Sequence, residues 1–82
     1  MEMKEAMFKH RVRQVDIRKT WIKDWPDEKP IHHTRLCQVV NGLDKFTELQ
    51  KRRIKRILQS FDVPNAVIKT IKELQPLKLK TK

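Results

Sequence analysis

The chain has 82 residues, with 20 Lys plus Arg against 10 Asp plus Glu, a formal net charge of +10 and a pI near 10.2. This length predicts one domain with a small core, and the charge indicates an anionic partner: nucleic acid, an acidic protein or an anionic membrane. No apolar run approaches the ~18 residues of a membrane span, and the single cysteine excludes an internal disulfide. We therefore expect a cytoplasmic protein with no membrane partner.

Two helices are predicted in the first third of the chain, which favours an all-α fold over a sheet. The first covers residues 2–10, in which four side chains recur at helical spacing: Met3, Ala6, Met7 and His10. The second covers about 14–24, where Ile17, Trp21 and Trp25 lie four residues apart on one face. That spacing favours core packing of the tryptophans over stacking on unpaired bases. Phe8 and Phe61 are also predicted to lie in the core.

A short third helix is predicted over residues 33–41, after a loop that contains Pro26 and Pro30. Its buried stripe consists of Leu36, Val39 and Val40, with Cys37 at the edge. Asn41 and Gly42 end it, because both accept the left-handed backbone of a helix stop. Its exposed side is nearly neutral and carries side chains of the kind that read base edges: Thr34, Arg35, Gln38 and Asn41.

The fourth helix begins with a capping box, Thr47 followed three residues later by Gln50. Its apolar positions repeat at helical spacing, and its basic residues are predicted on the opposite side: Lys51, Arg52, Lys55 and Arg56. A fifth helix is predicted from Pro64 to about Leu74. Residues 76–82 then form a predicted basic tail, or less favourably a short strand that pairs with a second copy. We divide the chain into a domain at 1–75 and a tail at 76–82.

From about Met7 to Val63 the chain resembles the lambda-repressor-like helix-turn-helix family, which comprises repressors and Cro-type regulators. Three segments carry the resemblance: 12–17, with Gln14 three residues before Ile17; 31–42, with its closing Asn-Gly; and 54–64. The resemblance implies a compact bundle of about five short helices, with the third helix in the major groove of DNA.

The resemblance also assigns roles to individual residues. The residues that would face base edges are His33, Thr34 and Gln38, with Arg35 as a further candidate for guanine or phosphate. Those that would lie at phosphates are Gln14, His32 and Asn41. The charge pattern, independently of the family, adds Lys45, Lys51 and Arg52 as phosphate contacts.

The chain departs from the family's pattern at three places. The turn between the second and third helices is enlarged over residues 22–31, so either the second helix is extended or the turn contains a loop with Trp25 and Pro26. Arg18 stands where the family has a small residue, and it must reach outward or change the helix crossing. His32 stands where a Ser or Thr commonly caps the helix.

No pattern in the sequence supports catalysis, since there is no Gly-rich phosphate loop, no carboxylate pair in a plausible cleft and no Ser/His/Asp constellation. We therefore expect no enzyme, no cofactor and no small-molecule substrate. His33 and Cys37 lie four residues apart, but no second pair has metal-ligand spacing. We predict a buried cysteine and surface histidines at these positions rather than a metal site.

The predicted function is sequence-specific binding to double-stranded DNA, as a transcriptional regulator of prophage or bacterial type. Two alternatives stay open. One is an RNA-binding or ribosome-associated basic module. The other is an antitoxin-like interaction adaptor that uses the apolar fifth helix. A homodimer would have the fifth helix and residues 77–79 as its candidate surfaces.

Overall fold

The computed structural model describes residues 1–75, and that part of the chain is all-helical. It contains five α-helices and one 3₁₀ turn: α1 (Met3–Lys9), α2 (Gln14–Asp24), α3 (His33–Val40), α4 (Glu48–Ser60), α5 (Asn65–Ile68) and the 3₁₀ turn Lys72–Leu74. The predicted all-α fold is confirmed. The predicted tail at 76–82 lies outside the described residues. Within 1–75, no helix has both the length and the apolar character that crossing a membrane requires.

The helices share one core, in which α4 packs against more elements than any other described helix. α2 packs against both α3 and α4, while α4 also packs against α5 and the 3₁₀ turn. α1, α2, α3, α4 and residues 71–74 supply the core side chains that are essentially inaccessible to solvent: Met3, Ile17, Trp21, Leu36, Ile54, Ile57, Ile71 and Leu74. The tryptophan prediction is confirmed, since Trp21 is buried and Trp25 packs half-buried against the core.

α1 is attached to the far end of the chain. It packs against the 3₁₀ turn, and the backbone amide of Met3 donates to the Glu73 carboxylate at 2.9 Å. Glu73 thereby supplies an acceptor to one of the first amides of α1, which have no partner within the helix itself. The start of the described chain is thus held by its last turn.

Three of the described helices end in the same type of hydrogen-bonded turn. After α3, two amides donate back to the carbonyls of Gln38 (2.7 Å) and Val39 (3.0 Å), and Gly42 has a φ of 80°. This is the Schellman arrangement, in which glycine adopts the left-handed backbone without a Cβ clash. The glycine stop predicted for α3 is therefore confirmed. α1 and α4 end in the same way at Arg11 (φ 57°) and Asp62 (φ 64°).

The prediction of a long fifth helix is wrong. α5 ends at Ile68, and the chain turns before the 3₁₀ turn that reaches Leu74. The Thr70 hydroxyl donates to a carbonyl of the preceding turn at 2.7 Å, and the Gln75 side chain donates to the Ile71 carbonyl at 2.9 Å. Side chains thus satisfy carbonyls that a continuing helix would use. Beyond the break, Ile71 and Leu74 are both fully buried.

The prediction that Phe8 lies in the core is also wrong, because its side chain is 88% exposed. The buried face of α1 consists of Met3, Ala6 and Met7. Phe8 follows Met7 by one residue, which turns it about 100° around the helix and away from that face. Phe61, predicted in the same way, packs half-buried against the core.

The enlarged turn between α2 and α3 is a loop that is fastened to α4. α2 ends at Asp24 and so takes in only the first three residues of the insertion, which leaves residues 25–31 as a loop. The guanidinium of Arg53 on α4 binds both carboxylate oxygens of Glu28, one of them at 2.9 Å, and lies 4.8 Å from the centre of the Trp25 ring. Of the two alternatives for this insertion, the loop that contains Trp25 and Pro26 is the one observed.

Arg18 and His32 organise the end of that loop. Arg18 is half-buried, and its Nε donates to the carbonyl of Ile31 at 2.9 Å, just before α3 begins. His32 caps α3, because its Nδ1 accepts from the amide of Thr34 at 3.2 Å. The two departures from the family's pattern therefore act together on the start of α3.

The ion pair of Glu28 with Arg53 makes the stability of the fold sensitive to acid. The hydrogen bond from Arg53 holds the pKa of Glu28 below its ordinary value. A carboxyl whose pKa is lower in the folded state adds stability above its unfolded pKa and loses it as pH falls through the folded pKa. We expect Glu28→Gln to lower Tm at pH 7, and to lower it less at about pH 3, where the unfolded carboxyl is protonated and the contribution of the ion pair is decreasing.

Thermal melts of wild type and Glu28→Gln at the two pH values measure this difference. Asp27→Asn is the matched control, because Asp27 is the neighbouring exposed carboxylate and has no ion pair within residues 1–75. A Tm decrease for Glu28→Gln that is the same at both pH values would contradict the prediction.

Candidate nucleic-acid interface

The side of α3 that faces away from the core carries polar and small side chains. The exposed residues of this face are His33, Thr34, Cys37, Gln38 and Asn41. The opposite side is buried as predicted, through Leu36, Val39 and Val40. α3 contains no carboxylate, so nothing within the helix repels phosphate. We call the five exposed residues the α3 face.

Thr34 and Gln38 lie one turn apart near the middle of the α3 face. Neither side chain makes a hydrogen bond to another residue in the described range. Their donors and acceptors are therefore free for a ligand. These are two of the four residues that were predicted to read bases.

The other two predicted base-reading residues are partly engaged. The His33 ring stacks on that of His32, with ring centres 4.4 Å apart and planes inclined by 30°. Arg35 lies beside the α3 face, half-buried, and its Nε binds the Asp44 carboxylate at 2.9 Å. The guanidinium is thus partly neutralised and held towards the turn that follows α3.

Asn41, a predicted phosphate contact, lies in a groove with two lysines that the sequence analysis missed. Its Nδ2 donates to the Cys37 carbonyl at 2.9 Å, and the same groove contains Lys4 and Lys72. Two carboxylates also line it, including that of Glu73, which accepts the α1 amide. Local sequence patterns give no signal for these lysines, because they come from the first helix and the last turn.

Gln14, Lys45 and Arg52 are placed separately around the molecule. Gln14 is the half-buried first residue of α2. Beside it, a hydrogen bond from Arg13 lowers the pKa of Asp16, so that carboxylate is paired rather than free. Lys45 and Arg52 are exposed, and neither forms an ion pair with a residue in 1–75.

The prediction that Lys51 lies on the exposed side of α4 is wrong. Its side chain is 7% exposed, and Nζ donates to the Gln75 carbonyl at 2.7 Å and to the Glu48 carboxylate at 3.0 Å. Lys51 precedes Ile54 by three residues and Leu58 by seven, so helical periodicity places it on the buried stripe. That spacing was visible in the sequence and is the signal that identifies it.

Cys37 is exposed, which corrects the prediction of a buried cysteine. It lies one turn after His33 and one turn before Asn41, so it belongs to the α3 face. Across residues 1–75, no three or more His, Cys, Asp or Glu residues come together in a way that would hold a metal ion.

The apolar residues between Val67 and Leu74 are directed inward. Ile68, Ile71 and Leu74 are all buried in the core, and Val67 is half-buried. They therefore do not form the apolar outer surface on which the fifth-helix dimer and the adaptor alternative depend.

No protein-family model, curated protein or solved structure gives a significant match to this chain. The resemblance to lambda-repressor-like regulators thus rests on the sequence motifs. What the structure defines is the coarser class: a small, basic, all-helical protein whose third helix has a polar, exposed and carboxylate-free face.

Proposed function

We propose that this protein binds double-stranded DNA sequence-specifically, as a helix-turn-helix transcriptional regulator with α3 in the major groove. The observation that carries the proposal is the division of α3 into two sides. Three buried apolar residues fix one side to the core, while Thr34 and Gln38 project from the other with no partner in residues 1–75. A helix of this kind fits the major groove, where glutamine pairs with adenine and threonine with several bases.

The proposed contacts separate into two groups. Base edges are contacted by His33, Thr34 and Gln38, with Arg35 at the side. Phosphates are contacted by Gln14, His32, Asn41, Lys45 and Arg52. Lys51 is left out because it is buried. The first group supplies preference among sequences, and the second supplies affinity that decreases with salt.

Selection from a random duplex-DNA library at about 150 mM salt tests the proposal, because that concentration suppresses purely electrostatic binding. We expect an enriched motif, and a palindrome within it would indicate binding as a dimer. A parallel selection with RNA separates the alternative class. Enrichment in RNA without enrichment in duplex DNA would reject the proposed function.

Gln38→Ala is expected to flatten the preference at one position of the selected site. A good bidentate contact to a base contributes about 1–3 kcal/mol of discrimination, so the ratio between best and mutated sites should fall roughly 5- to 150-fold. Affinity for unrelated DNA should change little, because Gln38 is uncharged. Competition binding with single-base variants of the selected site measures this ratio.

Gln14→Ala is the matched control, since it makes the same truncation at a proposed phosphate contact. It should weaken all sequences alike and leave their ranking unchanged. If Gln38→Ala also weakened all sequences equally, Gln38 would have no role in base reading.

A further inference from the structure

A second concave surface lies between α4 and α5, and it contains no residue of the α3 face. It is a pocket of about 310 Å³, lined by Lys55, Gln59, Asn65, Ile68, Lys69 and Gln75. Lys55 and Gln59 lie one helical turn apart on α4, while Asn65 and Lys69 lie at the two ends of α5. We call this surface the α4–α5 pocket.

Hydrogen bonds hold the amide side chains of the pocket in place. Gln59 Nε2 donates to Asn65 Oδ1 at 2.9 Å, so the amide nitrogen of Asn65 is left as a free donor. Gln75 Nε2 donates to the carbonyls of Lys69 and Ile71 and ties the rim to the end of α5. The pocket is therefore built before any ligand arrives, with an amide N–H group and two ammonium groups available to it.

The charge of the pocket selects an anion. Lys55 and Lys69 form no ion pair with the described residues, and none of the six lining residues is acidic. Two other grooves in residues 1–75 are different: one contains Glu5, and the groove at Asn41 contains Glu2 and Glu73. A carboxylate-free lining with two lysines suits a phosphate group better than it suits a cation or a neutral molecule.

The lining also distinguishes between kinds of phosphate ligand. Small-molecule sites are lined mainly by apolar and aromatic side chains, with a few polar groups that orient the ligand. In the α4–α5 pocket, Ile68 is the single apolar residue. The other five lining residues are lysines and amides, which are groups that contact a nucleic-acid backbone.

We propose that the α4–α5 pocket is a second DNA contact, in which Lys55, Lys69 and the Asn65 amide hold a backbone phosphate. The identity of the polyanion rests on the proposed function, whereas the phosphate site itself uses no residue of the α3 face. This contact adds affinity that does not depend on sequence.

The test compares Lys55→Gln/Lys69→Gln with the charge-matched control Lys19→Gln/Lys23→Gln, whose two lysines are exposed on α2. Each neutralised phosphate contributes about 0.9 to the slope of log K against log salt. Because the pocket holds one phosphate, the pocket variant should lower that slope by roughly 0.9, which corresponds to about 5-fold weaker binding at 150 mM salt. The control should leave the slope nearly unchanged. An equal decrease in both variants would overturn the proposal, because it would reflect net charge alone.

A titration with inorganic pyrophosphate, followed by NMR, tests the pocket without DNA. We expect the Asn65 side-chain amide to shift in wild type and not in the pocket variant, and an absence of shifts in wild type would overturn the site. These experiments can reject base reading by α3 without rejecting the phosphate site. If no duplex motif is enriched but pyrophosphate binds and the pocket variant lowers the salt slope, the pocket stands and base reading by α3 is rejected.

Discussion

Replacing Leu36 by alanine is expected to lower the free energy of unfolding by about 3 kcal/mol, within the 2–5 kcal/mol range for such core truncations. Leu36 is fully buried and is one of three side chains that fix α3 to the rest of the fold. The truncation removes apolar contacts and leaves a cavity that the surrounding helices fill only in part. For a domain of this size, whose total stability is about 5–10 kcal/mol, the loss is large.

Urea denaturation, followed by circular dichroism and by the fluorescence of the buried Trp21, measures the effect. Gln38→Ala is the control, because it lies on the same helix and is exposed. Its stability should stay within about 0.5 kcal/mol of wild type. A loss below about 1 kcal/mol for Leu36→Ala would show that α3 is not anchored through this side chain. The pair thus separates the anchoring of α3 from its proposed recognition role.

Lys51→Ala is expected to destabilise the fold by about 2 kcal/mol and to leave the salt dependence of DNA binding unchanged. The side chain is buried, and its ammonium holds the Gln75 carbonyl to α4. Hydrogen bonds to charged groups contribute about 1.5–3 kcal/mol, and truncation also removes the packing of the aliphatic stem. The partner Glu48 is more than half exposed, so water resolvates it and the loss stays moderate.

Arg52→Ala is the matched control on the next residue of α4, which is exposed. It should change stability by less than about 0.5 kcal/mol and lower the salt slope by about 0.9. Urea denaturation and binding titrations at several salt concentrations measure both quantities for each variant. A reversed pattern, with Lys51→Ala lowering the slope at unchanged stability, would place Lys51 at the DNA after all.

Local signals predicted the helices well where capping and periodicity agree. The bounds predicted for α2 are those observed. The capping box of α4 is formed, since Thr47 Oγ1 accepts from the Gln50 amide at 3.1 Å and Gln50 Oε1 accepts from the Thr47 amide at 2.9 Å. In both cases the determining interactions lie within a few residues of one another, so the sequence contains them directly.

Other features depended on contacts between distant parts of the chain. The periodicity of α5 favoured a longer helix, but the chain leaves the helix after Ile68, where the Thr70 and Gln75 side chains occupy carbonyls that a continuing helix would use. Phe8 was assigned to the core on its aromatic character, whereas its register on α1 turns it outward. That prediction considered that phenylalanine is apolar and did not consider which face of α1 residue 8 lies on. In a short helix with one buried face, the face determines burial.

The residues of the candidate site also fall into two groups: those that the local sequence predicts and those that only the fold brings together. The outward direction of Thr34 and Gln38 was predictable from the apolar stripe of α3, because residues opposite a buried stripe lie on the exposed side of the helix. Lys4 and Lys72 join Asn41 only through the docking of α1 on the 3₁₀ turn, which no local pattern indicates. Lysines that are far from Asn41 in sequence, as these two are, can be identified as its neighbours only once the fold is known.

The contact between Glu73 and the amide of Met3 has a consequence for the order of folding. α1 is made before the other described helices, yet a seven-residue helix does not persist alone in water. Its packing partner and one of its acceptors lie in the 3₁₀ turn, about 70 residues later in the chain. Closing so long a loop costs entropy before any contact repays it. We therefore expect α1, the earliest of the described helices in the chain, to be among the last of them to dock.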